Sequence, residues 1–261
     1  MGKRARLDLL LLNRGLVGSR EEGQRRILAG EVLVKDRSVT KAGALVEPDA
    51  PIRLHGKGLP YVSRGGLKLE RALEEFEIKT RDRIVLDVGA STGGFTDCLL
   101  ARGARRVYAV DVGYGQLDWK LRKNPRVLVL EKTNIRNLQP EELPDPPELA
   151  VIDVSFISLR IVIPQVMMIL PREGEILALI KPQFEVGKGR VGKGGVVRVP
   201  EEHSRVIAEI REAAEKLGLE VGGVTESPLL GPRGNREFFI YLIKRADCGY
   251  QQAALKQEQK S

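Results

Sequence analysis

Asp87-Val88-Gly89-Ala90-Ser91-Thr92-Gly93-Gly94-Phe95 is the stretch whose reading decides the fold. The apolar run at 84–88 reads as a buried strand, the glycines form a sharp turn, and a helical apolar pattern over 94–102 follows. Glycine carries no Cβ, so a turn built on Gly89, Gly93 and Gly94 lets the backbone approach a ligand closely. The plain alternative is that these glycines serve only a tight strand-to-helix turn. The next apolar run ends in Asp111, placed to accept hydrogen bonds from ribose hydroxyls. Strand, turn, helix and acid together predict a site for a nucleotide-like cofactor.

Outward from this turn, strand patterns at 107–112, 127–130, 149–154, 176–180, 220–225 and 238–243 alternate with helical patterns at 116–122, 159–170 and 201–217. Such alternation predicts a parallel sheet with helices on both faces. The last strand, 237–244, follows its neighbour through a Pro/Gly-rich turn without a helix. A parallel return needs a longer crossover, so this strand is predicted to run antiparallel. Two features then favour S-adenosylmethionine over a dinucleotide. The turn departs from the Gly-x-Gly-x-x-Gly spacing that sets a pyrophosphate on a helix N-terminus, and the antiparallel last strand resembles the methyltransferase variant of this sheet. The predicted cofactor-binding residues are Asp87, Gly89, Ala90, Ser91, Thr92, Gly93, Gly94, Phe95 and Asp111. By the same resemblance Asn134, after the third strand, lies near the adenine.

Chemistry in open α/β sheets sits beyond the carboxyl ends of the strands. Asp153 ends the fourth strand pattern in Val151-Ile152-Asp153-Val154-Ser155-Phe156, and Lys181 ends the fifth in Ile180-Lys181-Pro182-Gln183-Phe184-Glu185. Glu237 starts the last strand, which an antiparallel direction brings to the same edge, and Lys68, just before the sheet, completes the set. A ribose hydroxyl is a poor nucleophile. A lysine beside carboxylates can take its proton or stabilise the alkoxide that develops. Asp153 is expected to hold Lys181. Singly, each of these charges also reads as a solvated strand end.

The 261 residues carry a net charge of +8, and residues 1–60 hold 12 Lys and Arg against 7 Asp and Glu. A basic excess favours a polyanionic partner. This opening segment reads as two helices, 4–13 and from Ser19 to Gly30, followed by strands at 32–34, 44–46 and 51–54. Ser19-Arg20-Glu21-Glu22 carries a capping-box signature. Arg4, Arg6, Arg14, Arg20, Arg25, Arg26 and Arg64 are the predicted RNA contacts, to phosphates rather than bases. The predicted domains are a small α+β unit at 1–55, a linker at 56–64, a catalytic unit at 65–246 and a polar tail at 247–261. No apolar run is long enough for a membrane span, and Leu9-Leu10-Leu11-Leu12 is too short for a signal peptide. Cys98 and Cys248 give neither a disulfide framework nor a zinc spacing, so no metal is predicted and a reducing cytoplasm is the expected compartment.

These residues resemble the TlyA-type family, whose members carry the names hemolysin A and ribosomal RNA 2′-O-methyltransferase. The resemblance rests on five motifs in order: Ser63-Arg64-Gly65-Gly66-Leu67-Lys68-Leu69, the turn from Asp87 to Asp97, Asp153-Val154-Ser155-Phe156-Ile157-Ser158, Ile180-Lys181-Pro182-Gln183-Phe184-Glu185 and Gly234-Asn235-Arg236-Glu237. It covers residues 4–244. Within the wider FtsJ-like group it implies that Lys68, Asp153, Lys181 and Glu237 form a Lys-Asp-Lys-Glu catalytic tetrad. It implies ribose 2′-O-methylation of cytidine in ribosomal RNA, with the target nucleotide varying among members, so that ribosomal RNA or a ribosomal subunit is the partner. The opening unit resembles a small RNA-binding fold first recognised in a small-subunit ribosomal protein, through Arg4, Leu7, Asp8, Ser19-Arg20 and Gly30-Glu31-Val32-Leu33-Val34. The fold class is therefore α/β, a Rossmann-like methyltransferase sheet, mostly parallel with the last strand antiparallel, preceded by a small α+β RNA-binding domain. The oligomeric state does not follow. Competing readings are a non-catalytic ribosome-assembly factor and a membrane-active hemolysin.

Four further features complete the sequence reading. The Gly-rich basic segment 187–195 reads equally as a cover for RNA or cofactor and as a long surface connection. Phe156 and Phe184 read either as stacking partners of a target base or as core. His55 and His203 read as structural or exposed, and Trp119 as core.

Overall fold

The computed structural model describes residues 4–28, 30–54, 60–187, 189–192 and 194–245. The chain divides into two compact units, Met1–Arg64 and Gly65–Ser261. The tail expected at 247–261, half of the expected linker, His55 and Cys248 lie outside the described residues.

The first unit begins with β1 (Ala5–Arg6), α1 (Leu7–Asn13) and α2 (Arg20–Leu28), followed by β2 (Val32–Val34), β3 (Arg37–Ser38), β4 (Leu45–Val46) and β5 (Ile52–Leu54). Leu7, Leu11, Val17, Ile27 and Val32 form its buried core. The expected helix at 4–13 starts later, because Ala5 and Arg6 are extended and pair antiparallel with Val46 and Leu45. The strand expected at 44–46 thus leaves the other sheet, whose order is β3-β2-β5. Ser19 Oγ accepts from Glu22 N at 3.1 Å, while the Glu22 carboxylate reaches back to Gly18 N at 2.8 Å. This reciprocal capping starts α2.

Asp8 organises the unit from inside. It is fully buried and accepts from Arg6 Nε and Nη2, Arg20 Nε, Gln24 Nε2 and Leu9 N, all between 2.8 and 3.0 Å. The Arg6 hydrogen bond foremost, with Gln24 and Arg20 adding to it against the opposing effect of burial, holds its carboxyl well below the usual carboxylate range.

The second unit contains α3 (Gly65–Glu75), β6 (Ile84–Val88), α4 (Gly94–Ala101), β7 (Arg106–Val110), α5 (Trp119–Arg122), β8 (Val127–Leu130), β9 (Leu149–Ile152), α6 (Leu159–Ile169), β10 (Glu175–Ile180), α7 (Pro182–Glu185), α8 (Pro200–Lys216), β11 (Leu219–Glu226) and β12 (Phe238–Lys244). Its seven-stranded sheet has the order β11-β12-β10-β9-β6-β7-β8. Strands β10, β9, β6, β7 and β8 pair parallel, whereas β12 is antiparallel to both β10 and β11. The central strands are buried along their length, as apolar runs covered on both faces must be. One face packs Ile84, Leu86, Ala150, Ile152 and Ile176 against α6 and α8. On the other, α3 and α4 lie together, and Phe95 meets Phe239 at a ring-centroid separation of 6.2 Å.

Because folding lowers the pKa of Asp8, its stabilising contribution is present above the ordinary carboxylate value near 4 and is lost as pH falls below it. Asp8→Ala is expected to destabilise the first unit by about 2 kcal/mol. Hydrogen exchange should accelerate in α1 and α2 while protection of the seven-stranded sheet is unchanged.

Candidate active site

The register of β12 against β10 sets the site. Phe238 pairs with Ile180, so the next residue on one strand, Lys181, and the preceding residue on the other, Glu237, lie at the same sheet edge. Lys181 Nζ is 2.6 Å from Asp153 Oδ1 and donates to Ser155 Oγ at 3.1 Å. Lys68 Nζ, from the first turn of α3, donates to Glu237 Oε2 at 2.6 Å. The four expected residues thus form two ion pairs, Asp153–Lys181 across the ends of β9 and β10 and Lys68–Glu237 between α3 and the start of β12. Lys181 and Glu237 are buried. A buried charge without a partner is costly, so each lysine is held where its acid is.

Glu237 owes its place to a glycine that the sequence pattern gave no reason to notice. A Cβ on Gly231 would overlap Glu237 Oε1. That oxygen is buried and has no hydrogen-bond partner among the described residues.

Asp87 is fully buried at the end of β6. Thr96 Oγ1 donates to its Oδ2 at 2.6 Å, while Oδ1 is buried without a hydrogen-bond partner among the described residues. Burial first, then the negative charges of Asp153 and Asp111, push this carboxyl up to about 7 in spite of the Thr96 hydrogen bonds. Asp111 closes the turn through its two oxygens, accepting from Ser91 N and Gly113 N, both at 2.7 Å. Asn134 follows β8 and accepts from Arg136 N at 3.1 Å.

The glycine turn itself is filled differently from the sequence expectation. A Cβ on Gly89 would overlap the Asp153 carbonyl, and one on Gly93, at φ +94°, would overlap Leu121 and Leu117. At these two positions glycine is required by protein packing around the turn. Ser91 and Thr92 are exposed at its tip, and Ala90 and Gly94 are buried. Phe95 is a correction. The helix begins at Gly94 and turns this ring into the core against Phe239, so the exposed tip and backbone of the turn are what a ligand can meet.

The fold also places the remaining side chains that the sequence singled out. Phe156 is 90% exposed, at φ +64°, and its ring lies 4.8 Å from that of Phe184 beside Ser155 and Lys181. It is therefore not core. Trp119, expected in the core, is exposed, because the helix expected at 116–122 is only the single turn α5, which buries Leu121 and leaves Trp119 outside. His203 is buried, with Nε2 2.9 Å from Val197 O, a structural contact. The described part of 187–195 is tied down by a Gly192–Val196 bridge, an Arg190–Glu202 ion pair and an Arg233–Gly194 hydrogen bond, as a surface connection.

The arginines of the first unit are less free than their charge implies. Arg6 and Arg20 are paired with Asp8, Arg14 donates to Ala50 O and Pro48 O, and Arg26 pairs with Glu22 and Glu31. Arg4 and Arg64 are exposed, and Arg25 is half-buried. Arg6, Arg14 and Arg20 are nonetheless exposed outside their pairings.

A mostly parallel sheet closed by an antiparallel strand, with acids at the mouths of β6, β7 and β9, is the methyltransferase form of the doubly wound fold. Residues 61–244 match the family described as FtsJ-like methyltransferase, and the chain belongs to that family. It is 47% identical over 248 residues to the 16S/23S rRNA (cytidine-2'-O)-methyltransferase TlyA of Mycobacterium tuberculosis, covering 95% of this chain and 92% of that protein. It is 39% identical over 239 residues to Hemolysin A of Brachyspira hyodysenteriae, covering 91% and 99%. A solved structure under the name hemolysin, from Streptococcus thermophilus, superposes with a TM-score of 0.74 at 38% identity, with 100% of each chain covered.

Two outcomes follow from this geometry. Asp87 is more acidic unfolded than folded, so its contribution to stability is full below about 4 and is lost as pH rises through about 7. Thermal melting of the ligand-free protein should therefore fall more steeply between pH 5 and 8 than that of Asp87→Asn, which keeps an acceptor for Thr96; parallel curves would refute the buried acid. Gly231→Ala should displace Glu237 and lower turnover at least about tenfold, with circular dichroism and melting close to the parent.

Proposed function

We propose that the protein transfers the methyl group of S-adenosylmethionine to a cytidine ribose 2′-hydroxyl of ribosomal RNA. The observation that carries the reading is Lys181, buried beside the glycine turn with Nζ fixed between Asp153 Oδ1 and Ser155 Oγ. The donor supplies a methyl carbon made electrophilic by its sulfonium. What remains for the protein is to hold the acceptor hydroxyl and remove its proton.

The residues at the strand ends fit such a donor. Asp87, Asp111 and Asp153 gather negative charge at the mouths of three adjacent strands, and the unpartnered Asp87 Oδ1 leaves an acceptor unused. S-adenosylmethionine carries an ammonium and a sulfonium against one carboxylate, so a net positive charge enters an acidic site. A dinucleotide diphosphate would be repelled there. Asp111 and the exposed tip at Ser91 and Thr92 would hold the ribose and methionine ends, with Asn134 toward the base.

In the acceptor half, Lys181 Nζ takes the hydroxyl proton as the methyl carbon leaves sulfur, which becomes a neutral thioether, and bonds to the ribose oxygen. Asp153 and Ser155 fix its position, and the resulting ammonium is stabilised by Asp153. Lys68 and Glu237 complete the site as a second pair. Phe156, exposed and stacked on Phe184, offers a ring for the target base next to Lys181. Arg4, Arg6, Arg20, Arg25 and Arg64 supply positive charge for RNA phosphates, on a ribosomal subunit or on free RNA in the cytoplasm. Among the described residues no helix is long and apolar enough to cross a membrane, so the hemolysin name of relatives finds no membrane-spanning helix here to act through.

Purified protein incubated with labelled S-adenosylmethionine and bacterial ribosomal subunits should place label on RNA, in a nucleotide resistant to alkaline hydrolysis. Lys181→Ala should lower kcat by about a hundredfold or more. Lys181→Arg should be equally impaired, because guanidinium cannot give up its proton. Full activity of the arginine variant would remove the proton-transfer role, and RNA that never acquires label would remove the function.

A further inference from the structure

The segment after β7 carries features the methyl-transfer site does not use. Tyr114 is 71% and Trp119 66% exposed. Each ring has an ammonium over it: Lys132 Nζ lies 4.6 Å from the Tyr114 centroid and Lys123 Nζ 4.5 Å from that of Trp119. Neither ammonium forms an ion pair with a described residue. Between Val112 and Lys132 stand five Lys and Arg against two Asp and Glu, and both acids are engaged. Asp118 accepts from Lys120 N at 3.0 Å, and Glu131 pairs with Arg122 at 2.5 Å.

The segment is anchored to the cofactor turn. Asp118 N donates to Thr92 O at 3.2 Å, Gly113 N donates to Asp111 Oδ1, and Leu117 and Leu121 pack over Gly93. An aromatic and basic strip therefore begins where the donor site ends. Residues 1–60 contain no Phe, Tyr or Trp, and Tyr61 of the first unit is buried, so the first unit can offer phosphates charge but cannot offer bases a ring. Stacking has to come from the second unit.

We propose that Trp119 with Lys123, and Tyr114 with Lys132, form a stacking platform for unpaired RNA flanking the target nucleotide. Each ring takes a base on its open face, and each ammonium takes a phosphate. Aromatic rings interleaved with lysines are the surface that binds single-stranded RNA without reading its sequence. An apolar protein partner would call for aliphatic neighbours, and Val112 is the sole large aliphatic exposed between residues 112 and 132 among those described. The inference rests on RNA being the acceptor.

Trp119 is the one tryptophan of the chain, so tryptophan emission, excited beyond tyrosine absorption, reports on this surface alone. The full-length protein is titrated with S-adenosylmethionine, and separately with purified bacterial 16S and 23S ribosomal RNA. RNA should quench the emission about twofold or more, and the methyl donor should leave it nearly unchanged. Trp119→Ala should raise KM for ribosomal RNA about tenfold while kcat and KM for the donor hold. Lys123→Gln, which keeps the ring, should reduce the slope of log KM against log salt by about 0.7 to 0.9. Quenching by the donor, with none added by RNA, would assign the ring to the cofactor and overturn the platform. So would RNA that is methylated without a fluorescence change and with an unaltered KM in Trp119→Ala. RNA that quenches but is never methylated would leave the platform standing and remove the enzymatic reading instead.

Discussion

The antiparallel pairing of β12 with β10 is the constraint on which the site depends. Lys181 and Glu237 are 56 residues apart in the chain, yet the Ile180–Phe238 register brings them to one edge. A parallel last strand would carry Glu237 to the opposite end of the sheet. A one-residue slip would exchange its two faces, putting Phe239 where Phe238 packs. Both strands are buried along most of their length, so hydrophobic burial fixes the register and the register delivers the charges.

The charges in turn interact as a set. Asp87, Asp111 and Asp153 stand at the ends of adjacent strands, and burial first, then the charges of the other two, raise the affinity of Asp87 for a proton. Lys181 offsets Asp153 and Lys68 offsets Glu237. Buried pairs of this kind add little net stability. Under the proposed function they fix polar atoms where the acceptor and a cationic donor would meet. Gly231 and Gly89 belong to the same arrangement, since a side chain at either would displace Glu237 or the Asp153 backbone.

The first unit uses charge in another way. Asp8 engages its buried carboxylate with Arg6 of β1 and with Arg20 and Gln24 of α2, so residues that a charge count assigns to RNA also hold the unit together. The two roles are compatible, because each guanidinium has donors beyond those bound to Asp8.

Most of the sheet was legible in the sequence, because strands covered on both faces must be continuous apolar runs and those runs are countable. Asp153, Lys181 and Glu237 were legible for a related reason, since each bounds such a run, whereas no apolar strand run marked Lys68 on α3. Two-residue pairings such as β1 with β4 carry no such signal, since their partners are chosen by the folded chain. Trp119 and Phe95 were misplaced because an aromatic residue near a helix start has no direction until the helix length and phase are known. Gly231 was invisible, because its reason for being glycine is a carboxylate that reaches it only in the folded chain. The sequence by itself determined the class of fold, the glycine turn after β6 and the chemical types at the strand ends, all of which follow from local pattern and covalent order. Only the tertiary structure decided which charges pair, which rings face water and which glycines are obligatory, because those depend on distances between residues far apart in the chain.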